Sequence, residues 1–207
     1  MDWQSKLYLI PGLIVGFTVH EFGHALAAYI LGDKSIRIQD RITLNPLKHI
    51  DPIGFLLIVF VGVGWAKPVA FDPERLKNFQ RDRALIALAG PVSNLLLGIL
   101  FAYVYQKIMP EGLFNYSRAY NSVGMSILRY AIVMNFILFV FNLIPIPPLD
   151  GSHVFFSILN LKAKTESFFR ILGFLVLIIL LVLQLFNKID MFPIVTNLTL
   201  KIYNFFM

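Results

Sequence analysis

The sequence predicts an all-α polytopic membrane protein: about four transmembrane helices, a membrane re-entrant β-hairpin or loop, and a C-terminal interfacial helix. Two observations carry this class. Of the 207 residues, 57% are hydrophobic and only 14% charged, with a mean hydropathy of +0.73, whereas soluble domains are roughly 45–50% apolar and about 25% charged. The apolar residues also collect in runs long enough to cross a bilayer, separated by basic segments. The length fits one membrane-embedded domain, residues 1–207.

The elements follow in chain order. Leu7 to Leu31 is an apolar run of 25 residues, about 37 Å as a helix against a hydrocarbon core of about 30 Å. Its length, and the lack of a small-residue cleavage pattern after it, favour a retained span over a signal peptide. Ile53 to Trp65 is too short to span as a helix, and its glycines and β-branched residues fit a hairpin or re-entrant loop. Ala84 to Tyr105, Tyr130 to about Leu149, and Ile171 to Phe186 are the second, third and fourth spans. The tail from Met191 to Met207 is apolar but broken by Pro193, Asn197 and Lys201, which suits a helix lying in the interface.

Charge sets the orientation. Residues 32–52 and 66–83 hold Lys34, Arg37, Arg41, Lys48, Lys67, Arg75, Lys77, Arg81 and Arg83, and residues 150–170 add Lys162, Lys164 and Arg170. Placing these segments in the cytoplasm, with both termini outside, satisfies the positive-inside bias of a cell-membrane protein. The net charge of +6 is explained in this way and calls for no nucleic acid. With no cysteine in the chain, any metal ligand must be His, Asp or Glu.

The first span holds the chemistry. His20 and His24 lie four apart on one helical face and can present two nitrogens to one cation. Glu21 stands beside them, able to reach a nucleophilic water without being a ligand, as in the H-E-x-x-H arrangement of zinc hydrolases. A chance match in a polar helix would be unremarkable. An unsatisfied glutamate near the bilayer midplane costs roughly 2.5 kcal/mol or more, so an idle one there is rare.

Two histidines are one ligand short of a catalytic zinc site. Pro145, Pro147 and Pro148 break the third span near its cytoplasmic end, and Asp150 sits on the broken segment. Gly151 then permits unusual dihedrals directly after the carboxylate. Alone, Asp150-Gly151 reads as a turn or a helix N-cap. Topology favours more: the first span descends to the cytoplasmic face where the third arrives, so the pair and Asp150 fall at similar depth. His49 and His153 rank lower, with surface or hydrogen-bonding roles expected for each. Asn135 and Asn142, seven apart, suit gluing helices together, and Gly12-x-x-x-Gly16 suits close helix packing.

With "HEFGH" (20–24) and "NLIPIPPLDG" (142–151) in view, the chain resembles the site-2 protease family of intramembrane zinc metalloproteases. "RITLNPLKHIDPIG" (41–54), "GWAKPV" (64–69) and "AGPVSN" (89–94) are similar to family segments in the family's order. The resemblance implies one Zn²⁺ held by His20, His24 and Asp150, with Glu21 as catalytic base. It implies a membrane-embedded hairpin near the site and an Asn94 that hydrogen-bonds substrate or catalytic groups, with Asn142 and Gly151 as further candidates beside the site. Where many relatives have a second glycine, this chain has Ser152, and neither a PDZ nor a CBS module is evident. The implied partners are the lipid bilayer and a transmembrane protein substrate, cleaved within or near its span in regulated intramembrane proteolysis. The competing class is a catalytically inactive metal-binding scaffold or metal transporter. A transporter usually needs polar residues along a continuous path, whereas the polar groups here concentrate at one depth.

Overall fold

The structure is a computed structural model that describes residues 3–61, 64–109, 122–185 and 193–206. Its helices are α1 (Trp3–Leu31), α2 (Ser35–Ile38), α3 (Pro52–Val61), α4 (Phe79–Ile108), α5 (Val123–Asn142), α6 (Asp150–Ile158), α7 (Ala163–Leu185) and α8 (Pro193–Phe206). Short 3-10 turns at Pro46–Lys48 and Pro73–Arg75 punctuate the connections. Three helical stretches are long and apolar enough to cross a membrane: Lys6–Leu31, Phe79–Ile108 and Val123–Asn142.

These three helices pack on one another. Gly12 and Gly16 let α1 close onto α5, where an added methyl group would overlap Ala131 at one and meet Leu138 and Asn135 at the other, as the small-residue spacing leads one to expect. Leu13, Phe17 and Leu138 are buried at that contact, and Ile132 and Phe136 of α5 join Ala102 and Tyr105 of α4 in a second cluster. Burying such side chains is worth roughly 1.5–3 kcal/mol each in water. Within lipid the gain comes instead from close packing and interhelical hydrogen bonds.

The run Ile53–Trp65 departs from the expected β-hairpin. Residues Pro52–Val61 form helix α3, and there is no strand among the described residues. The reason lies in backbone satisfaction: one apolar pass with no partner strand can pair its own N–H and C=O groups only as a helix. Asp51 starts it by accepting the Gly54 N–H at 2.8 Å, with Pro52 in the first position, where no N–H is needed. Phe55 and Ile58 pack against the Leu13–Phe17 cluster, and Lys6 Nζ reaches the Phe60 carbonyl at 3.4 Å. α3 therefore runs antiparallel to α1. Residues 62 and 63 lie outside the described set.

The chain then returns as a non-helical strap, residues 64–72, beside the start of α3. The Lys67 N–H donates to the His49 carbonyl at 2.8 Å. Buried Arg41 holds both ends of this loop, donating to the carbonyls of Lys48, Lys67 (3.0 Å) and Pro68 (2.6 Å). Buried Asp33, just past the end of α1, accepts from Ser35 N–H, Ser35 Oγ–H and Asp72 N–H at 3.0, 2.6 and 2.7 Å. Strap and loop are thus clamped to the same end of the bundle.

The expected fourth span lies in α7, whose apolar part from Ile171 to Leu185 is about 22 Å long; Phe186 falls outside the described residues. Most of the described side chains of that part are exposed, and Gly173 presses on Pro147. The tail is helical from Pro193 to Phe206, while Met191, Phe192 and Met207 lie outside the described set. Ile202, Tyr203 and Phe206 of α8 cover the cluster between α4 and α5.

Candidate metal centre

His20 and His24 project from the middle of α1 towards α4, both almost fully buried. Each ring is held from behind. His24 Nδ1–H donates to the Ile86 carbonyl at 2.7 Å. His20 Nδ1 lies 2.6 Å from Asn94 Oδ1. Asn94 Nδ2 is committed to the Gly16 carbonyl and to Asn135 Oδ1, both at 2.9 Å, so its other atom is the oxygen and His20 is the donor. Both rings therefore carry their proton on Nδ1 and turn a bare Nε2 forward. The two Nε2 atoms are 3.1 Å apart, with the ring planes at 87°. Gly90 of α4 lies against the Nε2–Cε1 edge of His24 and the Cε1 of His20, and a methyl group there would overlap both rings.

Asp150 completes the cluster. α5 ends at Asn142, and a turn containing a cis Pro147–Pro148 bond delivers Asp150 as the first residue of α6. Asp150 is not an N-cap, because Leu149 occupies that position. Gly151 differs from the sequence expectation: it is helical and not among the glycines with positive φ. Its smallness serves close approach instead, since a side chain would run into the carbonyls of Leu143 and Ile144. From the other side, buried Arg83 of α4 ties α6 down, with Nε donating to Ser157 Oγ and Nη1 to both Glu166 oxygens, all at 2.8 Å.

Asp150 Oδ2 lies 3.0 Å from His20 Nε2 and 3.3 Å from His24 Nε2. With both rings in the neutral form, the three atoms make a triangle of lone-pair donors, and Asp150 Oδ2 is buried without a hydrogen-bond partner. Such a triangle is suited to a cation. Zinc bonds of about 2.1 Å in tetrahedral geometry give ligand–ligand edges of about 3.4 Å, close to the observed sides. The residues fit a zinc ion.

Glu21 is buried, and its Oε2 also lacks a partner. It lines a cavity of about 150 Å³ with His24, Asp150, Arg83, His153 and the strap residues Pro68, Val69 and Phe71. His20, Glu21, His24 and Asp150 are thus brought together, with Asn94 directly behind His20. Asn142 is not: its Nδ2 donates to the Leu138 carbonyl of its own helix at 3.0 Å. His49 is fully buried and makes a structural bond to the Thr43 carbonyl at 2.7 Å. His153, for which the sequence suggested a surface or hydrogen-bonding role, and Arg83, which it did not single out as a site residue, both line this cavity. The signal for His153 was its i+3 spacing from Asp150, readable only once α6 is known to be a helix.

A family model described as peptidase family M50 matches residues 8–114 and 107–183 of this chain. "Putative zinc metalloprotease YwhC" of Bacillus subtilis (strain 168) is 37% identical over 183 residues, covering 86% of this chain and 81% of its own. "Putative zinc metalloprotease Rip2" of Mycolicibacterium smegmatis is 28% identical over 188 residues, covering 88% and 69%. The protein of that name from Mycobacterium tuberculosis (strain ATCC 35801 / TMC 107 / Erdman) is 30% identical over 148 residues, covering 69% and 54%. No solved structure matches.

Proposed function

The chain belongs to peptidase family M50, the site-2 protease family, and from that membership we propose that it is a zinc-dependent protease cleaving transmembrane proteins within or near their spans. The observation that carries the proposal is the triangle of His20 Nε2, His24 Nε2 and Asp150 Oδ2 beside the unpartnered carboxylate of Glu21. His20, His24 and Asp150 would hold the ion. When bound, zinc supplies a Lewis acid and makes water nucleophilic at neutral pH.

The protein's own groups do the rest. Asn94 and the Ile86 carbonyl keep the two rings in the tautomer and orientation that binding needs. Glu21 accepts a proton from the attacking water and returns it to the leaving amine. The buried setting excludes bulk solvent and strengthens each of these interactions. A substrate helix hides its peptide bonds in its own hydrogen bonds, so it must unwind locally before cleavage. The strap offers such a segment a place: Val69 and Phe71 line the cavity, and their backbone N–H groups have no partner among the described residues. Pairing of an extended substrate there is β-addition. The basic connections support a cytoplasmic position for this end of the bundle, from which water would reach the site and regulated intramembrane proteolysis would release its product.

Glu21→Gln tests the proposal. The variant should keep one zinc per chain, by metal analysis of the purified protein, while a membrane-proteome comparison shows fragments ending inside single spans only with the wild type. Identical fragment patterns in the two strains would overturn it.

A further inference from the structure

We propose that His153 is a second substrate-contacting residue of this site, donating a hydrogen bond to the scissile carbonyl oxygen as that oxygen gains charge. The inference rests on the protease reading above and deepens it. In the step concerned, the water oxygen bonds to the carbonyl carbon while the C=O π pair moves onto oxygen. Glu21 takes the water's proton. The pair then falls back, the C–N bond breaks, and the amine leaves with that proton. Charge develops on one oxygen, and hydrolytic sites place preorganised donors where it appears.

Elimination among the cavity's side chains leads to His153. Three of them can donate at all: Arg83, His24 and His153. The Arg83 guanidinium commits four of its five N–H groups to Glu166, Ser157 and Gln80, each at 2.8 Å, and its face to the Phe79 ring. His24 gives its Nδ1 proton to Ile86. His153 stands one turn beyond Asp150 on α6 and therefore faces the same way. Its Nδ1 is buried with no hydrogen-bond partner, a costly state for a polar atom in a protein interior. With its proton on Nδ1, the ring has a hydrogen bond to give and no described residue to receive it.

The surroundings keep the ring in a suitable form. Burial, aided by Arg170 and Arg83 and opposed by Asp150, holds the imidazole below its ordinary pKa. That favours the neutral ring, which does not repel a cation beside Asp150. The ligand cluster itself is made by His20, His24 and Asp150 and does not include His153.

Two zinc-directed probes separate a carbonyl donor from a structural residue. A phosphinic tripeptide of alanine presents charged tetrahedral oxygens, whereas a mercaptoacyl dipeptide binds through sulfur and presents none. Binding of both to the zinc-loaded protein in detergent is measured by titration calorimetry, with zinc content and melting temperature recorded for each variant. His153→Ala should weaken the phosphinic peptide by about 10²–10³-fold and the thiol by less than about threefold, with zinc content unchanged. His153→Gln, which retains an N–H donor, should recover part of the loss. Equal weakening of both probes, no weakening of either, or loss of zinc would overturn the proposal. Wild type that binds zinc but neither probe would count against the protease reading itself. Wild type that binds both, with His153→Ala indistinguishable from it, would count against His153 alone.

Discussion

His20 depends on an amide that never touches the cavity. Asn94 gives its oxygen to His20 and its nitrogen to Gly16 and Asn135, so one side chain ties α1, α4 and α5 at the depth of the cluster. Its truncation leaves the His20 N–H unpaired and the ring free to turn. Asn94→Ala should therefore weaken zinc binding by about 10–100-fold, read from competition against a chromogenic chelator. An affinity within twofold of wild type would show that packing alone orients the ring. At this scale the sequence was generous where chemistry is local. Helical spacing alone fixes His20, Glu21 and His24 on one turn, so their convergence needed no fold. Asp150 required a topology, and the positive-inside count supplied one. His153 ranked low because its relation to Asp150 is an angle on a nine-residue helix that the prolines before it obscured.

Among the elements, α6 is too short to place itself. It is wedged between the 143–149 turn and the Arg83 side chain, and Arg83 is neutralised by Glu166 at the start of α7. Both charges are buried, so the pair matters most when half of it is removed. Glu166→Leu leaves the guanidinium without a counterion and should cost about 3–5 kcal/mol, measured by denaturant unfolding in micelles. The double variant Arg83→Met/Glu166→Leu should return most of that stability. If the single and double variants are equally unstable, the bond to Ser157 rather than the ion pair anchors α6. In the sequence Arg83 read only as a topogenic arginine and Glu166 did not stand out, because their partnership spans 83 positions. The form of the strap likewise rests on distant partners. Its non-helical form depends on Arg41, whose bonds to Lys67 and Pro68 cross 26 and 27 positions, whereas the glycines and β-branched residues of 53–65 pointed to strands where α3 forms.

For the molecule as a whole, orientation is the quantity on which the proposed chemistry depends, and the absence of cysteine makes it directly measurable. Lys34→Cys and Lys162→Cys should react with an impermeant maleimide only after inner-face access is given, and Gln4→Cys should react in intact cells. The reverse pattern would put the cluster on the far side of the bilayer. Composition and run lengths sufficed for the all-helical membrane class and for the three long helices. They did not reveal how α7 and α8 attach, because that depends on contacts such as Gly173 on Pro147 and Ile202 over the α4–α5 cluster. The glycine at position 90 has one more implication. With no room for a methyl group between α4 and the two rings, the joint of α1 and α4 leaves no passage at the trap. The strap residues Pro68, Val69 and Phe71 line the cavity instead, so a visitor would come in past them and leave the innermost joint shut.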